Sequence, residues 1–213
     1  MEFKEVIKNR KSIRDFLDKE IDDEIILQIM KDAQQSASWM NSQPWKVYVL
    51  KGELLKKIRE DHLRSVINSD PISSDYKHYK REEWPAYISD HITQMSLIRN
   101  ETVDNKTFNE LNWRLFNSPA IVLLCLPKNA LVWNVLDLGA FSSTLMLSAQ
   151  NYGIDSVHAY EIVKYGKNLH EIANIPYEFD IVSGIALGYR SDHKINSYKS
   201  QRIDVKDFLE ILK

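Results

Sequence analysis

Arg10, Ser12 and Arg14 stand two residues apart in the run Arg10-Lys11-Ser12-Ile13-Arg14. On an extended backbone side chains alternate, so these three share one side and two guanidiniums flank a hydroxyl. A guanidinium offers a planar fork of donors matched to phosphate oxygens, and a hydroxyl between two forks adds a neutral hydrogen bond; the group suits a buried anion. A solvated basic turn would carry the same five residues, and the rest of the chain must decide between the two readings. Near the C-terminus Lys199, Ser200 and Arg202 repeat the pattern of cation, hydroxyl and cation. Residues 36–45 read Ser-Ala-Ser-Trp-Met-Asn-Ser-Gln-Pro-Trp and bring amides and hydroxyls to the entrance of an apolar run. The chain has no Gly-x-Gly-x-x-Gly, so a phosphate would have to be held by side chains.

The elements that must position these groups follow from periodicity. Phe3, Val6 and Ile7 recur at helical spacing and predict a first helix that ends near Asn9 and delivers the basic stretch. Ile21 and Ile26 bracket Asp22 as a hydrophobic staple brackets an N-cap, and Ile25, Ile26, Ile29, Met30 and Ala33 predict a second helix running to about Ser36. Val47, Tyr48, Val49 and Leu50 predict a buried strand at 46–50, punctuated by Gly52, and Leu54, Leu55, Ile58 and Leu63 a third helix. Residues 120–126 form a continuous apolar run, the pattern of a central strand covered on both faces. The long helix expected over 132–152, capped by Gly153, is apolar or small nearly all round, with Gly139, Ala140, Ser142, Ser143 and Ala149 in its interior. It is buried either within the chain or against a second subunit. A short helix near 168–174, a strand over 181–189 and a closing helix after Arg202 complete the pattern; Gly184 and Gly188 in that strand imply close backbone approach.

Residues 68–114 differ in character, being charged and aromatic-rich with weak periodicity, and read as an insertion or lid. Tyr76, Tyr79, Trp84, Tyr87, His91 and Trp113 either line a pocket for planar ligands or pack a peripheral helical subdomain. His62, His78 and His91 lack metal-ligand spacing and read as surface or packing residues, so no metal site is expected.

The 213 residues fit one domain. A formal net charge of -2 excludes the concentrated positive field of a nucleic-acid binder. The one cysteine, Cys125, lies inside the central apolar run and reads as a core residue. No signal-peptide core and no run of ~18 apolar residues is present, which places the protein in the cytoplasm with no membrane partner.

Taken in order, Arg-Lys-Ser-Ile-Arg, Ser-x-x-Asn-Ser-Gln-Pro-Trp leading into a strand, Gly-Ile-Ala-Leu-Gly-Tyr and the C-terminal Arg202 resemble the nitroreductase family over nearly the whole chain. The resemblance implies an α+β fold, a mixed and mostly antiparallel central sheet wrapped by helices, in an intertwined homodimer with one FMN at each of two subunit interfaces. The chain 1–213 would be a single such domain, with residues 68–114 as its variable lid. Carried over by position, Arg10 and Arg202 hold the FMN phosphate with Lys11 beside them and Lys199 or Ser200 assisting, and Ser12 bonds the phosphate or ribityl chain. Arg14 faces the flavin pyrimidine edge and is the catalytic residue. Ser38, Met40, Asn41 and Gln43 reach the flavin from the other subunit, and Ala159, Tyr160 and Glu161 line the ring near N5. Electrons would come from NAD(P)H in a ping-pong sequence and go to small planar acceptors such as nitroaromatics or quinones. The loop departs from the common family form by Ala37 where proline is usual and Met40 where glycine is usual. That keeps two alternatives in view: the same fold with different flavin chemistry, such as reductive removal of a substituent or flavin breakdown, and a non-catalytic anion-binding module.

Overall fold

The structure, a computed structural model, describes residues 1–76 and 83–213; His78 and Tyr79 lie outside the described residues. Helix α1 (Phe3–Asn9) buries Val6, and α2 (Asp23–Ala33) starts at Asp22, whose carboxylate accepts from the Glu24 amide at 2.8 Å. Ile21 and Ile26 are both buried around that cap, as the staple requires, although α2 ends three residues before the expected Ser36. Strand β1 (Lys46–Lys51) runs directly into α3 (Gly52–Asn68). The aromatic-rich region folds as α4 (Ala86–Thr102) and α5 (Asn105–Trp113). Strand β2 (Ala120–Pro127), α6 (Val132–Asn151), β3 (Asp155–His158), α7 (Gly166–Ala173) and β4 (Phe179–Gly188) follow.

The sheet has the order β1-β2-β4-β3 with every neighbouring pair antiparallel; a parallel bridge joins Ser12 to Ser156. Strand β2 shows why the sheet sits in the middle. Its side chains alternate, so Ile121, Leu123 and Cys125 pack with Leu55 and Ile58 of α3 and Leu169 of α7, while Ala120, Val122, Leu124 and Leu126 pack with Ile26 and Ile29 of α2 and Leu138, Phe141 and Leu145 of α6. The result is helix, sheet and helix, an α+β architecture. Cys125 is a core residue, and desolvation pushes its thiol up to about 12.

Two expectations need correction. β1 is an edge strand rather than a buried one: only Leu50 is fully covered, and Val49 faces solvent, because β2 is its sole sheet neighbour. No closing helix forms; the tail makes only a 3-10 turn, Val205–Asp207, and leaves Phe208, Leu209, Ile211 and Leu212 exposed. A short amphipathic segment gains little from helix formation without a surface to pack on. In α4 the weak periodicity has a structural counterpart, since Arg99 is its one buried residue and Tyr87 and Leu97 are exposed.

The two glycines of β4 answer the expectation of close approach. A Cβ on Gly184 would lie 2.3 Å from Ile162 Cγ2, and one on Gly188 would lie 2.7 Å from both the Phe16 ring and Pro119. Gly184 therefore lets the 3-10 turn Tyr160–Val163 lie flat on β4. Replacing Gly184 by Ala should cost about 1–3 kcal/mol through overpacking, read as a lower urea midpoint, and Ile162→Ala in the same chain should recover part of it. An unchanged midpoint in Gly184→Ala would show that the turn is free to move.

Candidate active site

The basic stretch is extended because successive amides find partners on opposite sides. Ile13 N–H donates to Ser156 O at 3.0 Å, and Arg14 N–H donates to Asn196 Oδ1 at 2.9 Å. Ile13 is completely buried, so Ser12 and Arg14 take the other face; the expected grouping of Arg10 with these two does not form, because Arg10, at the C-cap of α1, lines a cavity with Lys11 that neither Ser12 nor Arg14 lines. Arg10, Lys11, Lys199, Ser200 and Arg202 then line one cavity of about 500 Å³, floored by Ser143 and Leu147 of α6. Lys8 also reaches it, and among the described residues no acidic one lines it. Burial first, and the Arg202 charge second, pull the Arg10 guanidinium below its usual value. Lys11 is likewise lowered by burial and by Arg190 and Lys199, against a smaller opposing effect of Asp155. Like charges thus face one another across a cavity of matching chemistry.

Arg14 is directed elsewhere. Its Nη1 donates to Ser12 O at 3.2 Å and its guanidinium lies 5.9 Å from the ring centroids of both Phe108 and Tyr198. Burial lowers its pKa, Tyr198 opposes that, and the Arg99 charge adds to it. Arg99, a residue that the sequence did not single out, stacks 3.9 Å over the other partner ring, Phe108, and donates to Asn100 Oδ1 at 2.7 Å.

The remaining site residues fall into two further groups. Ala159, Tyr160 and Glu161 follow β3, with Ala159 N–H bonded to Gly184 O at 3.0 Å. Glu161 Oε1 interacts with His62 Nε2 at 3.1 Å and accepts from Lys164 Nζ at 3.4 Å. His62 is a packing residue, buried and edge-on to Tyr165. The loop carrying Ser38, Met40, Asn41 and Gln43 lies at the N-terminal half of α6, where buried Asp137 accepts from Trp39 N–H at 3.0 Å and Ser42 Oγ at 3.5 Å. Met40, Asn41 and Gln43 all have positive φ, at 50°, 56° and 44°. No residue of this loop lines the cation cavity, so one chain brings together the two basic stretches and keeps the loop apart from them. Asp137 and Asn196, which hold these parts in place, carried no sequence signal, being single polar residues without a motif around them. Among the described residues no cluster of metal-ligating side chains occurs and no helix is long and apolar enough to cross a membrane.

Comparison with known proteins adds four findings. The nitroreductase family model matches residues 7–189. A 4-nitrobenzoate reductase of Pseudomonas putida is 23% identical over 99% of this chain and 96% of its own length. The FMN-dependent nitroreductase of Mycobacterium smegmatis, solved in complex with NADPH, superposes with a TM-score of 0.92 at 20% identity, covering 99% of this chain and 97% of that one. Iodotyrosine deiodinase, solved with FMN and 3-iodo-L-tyrosine, shares the fold more distantly, at a TM-score of 0.66 and 20% identity over 95% of this chain and 97% of that one.

The Glu161 cluster predicts a pH effect. Burial would raise this carboxyl, but the hydrogen bonds from His62 and Lys164 and their charges outweigh it and hold it below its ordinary value of 4.5. A depressed carboxyl stabilises the fold above its unfolded pKa and loses that contribution as pH falls through the folded one. Glu161→Gln should therefore be less stable than the parent chain at neutral pH, with the gap closing as pH drops below about 4.5. Urea titrations at both pH values measure it, and a gap of constant size would rule out this coupling.

Proposed function

Because the chain belongs to the nitroreductase family, we propose that it is an FMN-dependent oxidoreductase that takes electrons from NAD(P)H and delivers them to nitroaromatic, quinone-like or related electron-poor acceptors. The observation that carries this reading is the cavity in which Arg10, Lys11, Lys199 and Arg202 converge with no carboxylate among them. A phosphate dianion relieves the repulsion among these cations, of which Arg10 and Lys11 are half-buried and Lys199 and Arg202 exposed, and a monoester phosphate with a ribityl stem fits a site of about 500 Å³. Arg10 and Arg202 hold the phosphate with Lys11, Lys199 and Ser200 beside them, and Ser12 bonds the phosphate or the ribityl chain. Arg14, half-buried and set beside two aromatic rings rather than paired with a carboxylate among the described residues, is assigned to the pyrimidine edge. Ala159, Tyr160 and the backbone of Glu161 border the opposite edge.

Bound FMN supplies two-electron transfer from the nicotinamide to the acceptor, in ping-pong order. The protein's share is orientation and charge. A preorganised cation at a desolvated site is worth roughly 3–4 kcal/mol toward developing negative charge, which is the role given to Arg14. The helices α4 and α5 act as the lid over the acceptor, with Trp84 and Tyr87 as exposed planar faces. Work on a nicotinamide donor suits a cytoplasmic protein.

A homodimer completes the site. The groove between the loop and α6, about 810 Å³, is lined by Trp39, Val132, Trp133 and Leu136, all exposed, and by Gly139, where an added Cβ would meet nothing within 4 Å. Small residues on an open helix face let a second helix approach closely, and the exposed apolar tail offers further surface to bury. In that assembly Ser38, Met40, Asn41 and Gln43 serve the partner's flavin. Reductive removal of a substituent stays as a second reading, favoured by Met40 at the position where the family usually has glycine.

The test is an anaerobic spectrum of the purified protein with FMN, titrated with NADH and then NADPH, followed by 4-nitrobenzoate as acceptor. Bleaching by a nicotinamide and recovery with the nitro compound are expected; a protein that stays colourless with added FMN refutes the reading. Arg10→Ala and Arg202→Ala should each weaken FMN binding about tenfold to a hundredfold, as loss of one charge-assisted bond of about 1.5–3 kcal/mol dictates. Light scattering should give twice the chain mass, and a monomer that keeps stoichiometric FMN would contradict the two-chain site.

A further inference from the structure

Asn196 lies in the 3-10 turn Lys194–Ser197 and is 6% exposed. Every hydrogen-bonding group of its side chain is engaged on the basic stretch or on the segment that braces it. Its Oδ1 accepts the Arg14 N–H at 2.9 Å, and its Nδ2 donates to Asp15 O at 2.8 Å and to Ser191 O at 3.1 Å. The partners fix the amide's orientation, since a backbone N–H can only donate and a carbonyl can only accept. The main-chain carbonyl of the same residue accepts from Lys11 Nζ. Two residues on, the Tyr198 ring lies 5.9 Å from the Arg14 guanidinium, and the Tyr198 hydroxyl donates to Met95 O of α4 at 3.3 Å. One short turn therefore grips Arg14 at both ends, its backbone through Asn196 and its guanidinium through Tyr198.

We propose that Asn196 is the positioning residue for Arg14, fixing where that cation's charge is presented and so setting the reduction potential of the bound cofactor without touching it. The inference rests on the assignment of Arg14 to the flavin edge given above. An aromatic neighbour alone sets a distance but no direction, whereas three directional bonds from one amide lock the backbone from which the Arg14 side chain departs. Asparagine suits the place because it presents acceptor and donors from one short planar group; alanine would leave the Arg14 N–H and two carbonyls without their buried partner. Misplacement by about 1 Å is enough to cost a preorganised group much of its effect.

The test is a double-mutant cycle read by potentiometry on FMN-loaded protein: the parent, Arg14→Ala, Asn196→Ala and the double variant. Arg14→Ala should lower the midpoint potential. Asn196→Ala should give at least half of that downward shift, with affinity for oxidised FMN within about tenfold of the parent, and should add nothing further in the Arg14→Ala chain. A merely structural asparagine would lower the urea midpoint and leave the potential where it was; that result, or an equal shift in both backgrounds, overturns the proposal. Should Asn196→Ala fail to accumulate as folded protein, Asn196→Ser takes its place, and its hydroxyl, too short to span the same three partners, must produce the same non-additive shift. An Arg14→Ala protein with unshifted potential would instead remove the assignment of Arg14 itself, and the inference with it.

Discussion

Burial of one apolar side chain, Ile13, decides where the charges of this protein go. It is completely enclosed, packed in the same cluster as Phe16, Leu123 and Val157, and its amide bonds to Ser156 O. Alternation then leaves Ser12 and Arg14 on the opposite face. A slip of one residue would drive Arg14 into that cluster, and an unpaired guanidinium in an apolar core costs several kcal/mol more than Ile13 could return. The face that carries Arg14 is thus enforced by an isoleucine packed in the core.

The same logic bears on the proposed two-chain site, of which one chain would hold only part. Helix α6 serves both parts: Ser143 and Leu147 floor the cation cavity, while Asp137, nearer its start, anchors the loop. Between them the helix shows small residues and, at its start, large apolar ones with nothing against them. The tail after Arg202 is in the same condition, with Ile211 and Leu212 among the most exposed apolar side chains in the molecule. Surfaces of this kind are stable in water when a partner covers them, and a second copy would cover them while bringing its loop toward the cations. In the proposed dimer, cofactor binding and assembly would be two aspects of one packing problem.

Much of the fold was legible in the sequence because it rests on local rules. The β2 run, the α6 pattern with Gly153 at φ 75°, the Asp22 cap and the two β4 glycines each follow from sterics or periodicity within a few residues. What failed depends on distant partners. Whether a strand with the apolar content of β1 is central or at the edge is set by sheet order, which Val47, Tyr48, Val49 and Leu50 do not encode locally. The amphipathic tail looked helical because its pattern implies a surface that one chain does not supply. Of the proposed site, the two basic stretches stand out by residue type, but spacing did not tell that Lys11 rather than Ser12 and Arg14 would line the cavity with Arg10, and Asn196 and Arg99 act through geometry that brings residues 14 and 196, or 99 and 108, together.

The loop 36–43 shows how a locally unfavourable conformation persists. Three of its residues other than glycine take positive φ, and for Met40 and Gln43 the left-handed region costs about 1–2 kcal/mol each, with Asn41 less burdened. Set against this are the bond from Trp39 N–H to the buried Asp137 carboxylate, worth about 1.5–3 kcal/mol as a charge-assisted contact, and neutral bonds such as Gln43 N–H to Ser38 Oγ and Ser36 Oγ to Thr144 Oγ1 at about 1 kcal/mol each. Cost and gain are of the same size, so stability does not account for the loop's shape. Its result is to hold Met40 82% exposed at the tip of a loop whose Trp39, Asn41, Ser42 and Gln43 amides are bonded within the loop or to Asp137 of α6. A protein that needed only a connection between α2 and β1 would have no reason to keep Met40 in a conformation that glycine adopts without strain; one that presents a fixed polar rim to a ligand held by another chain would.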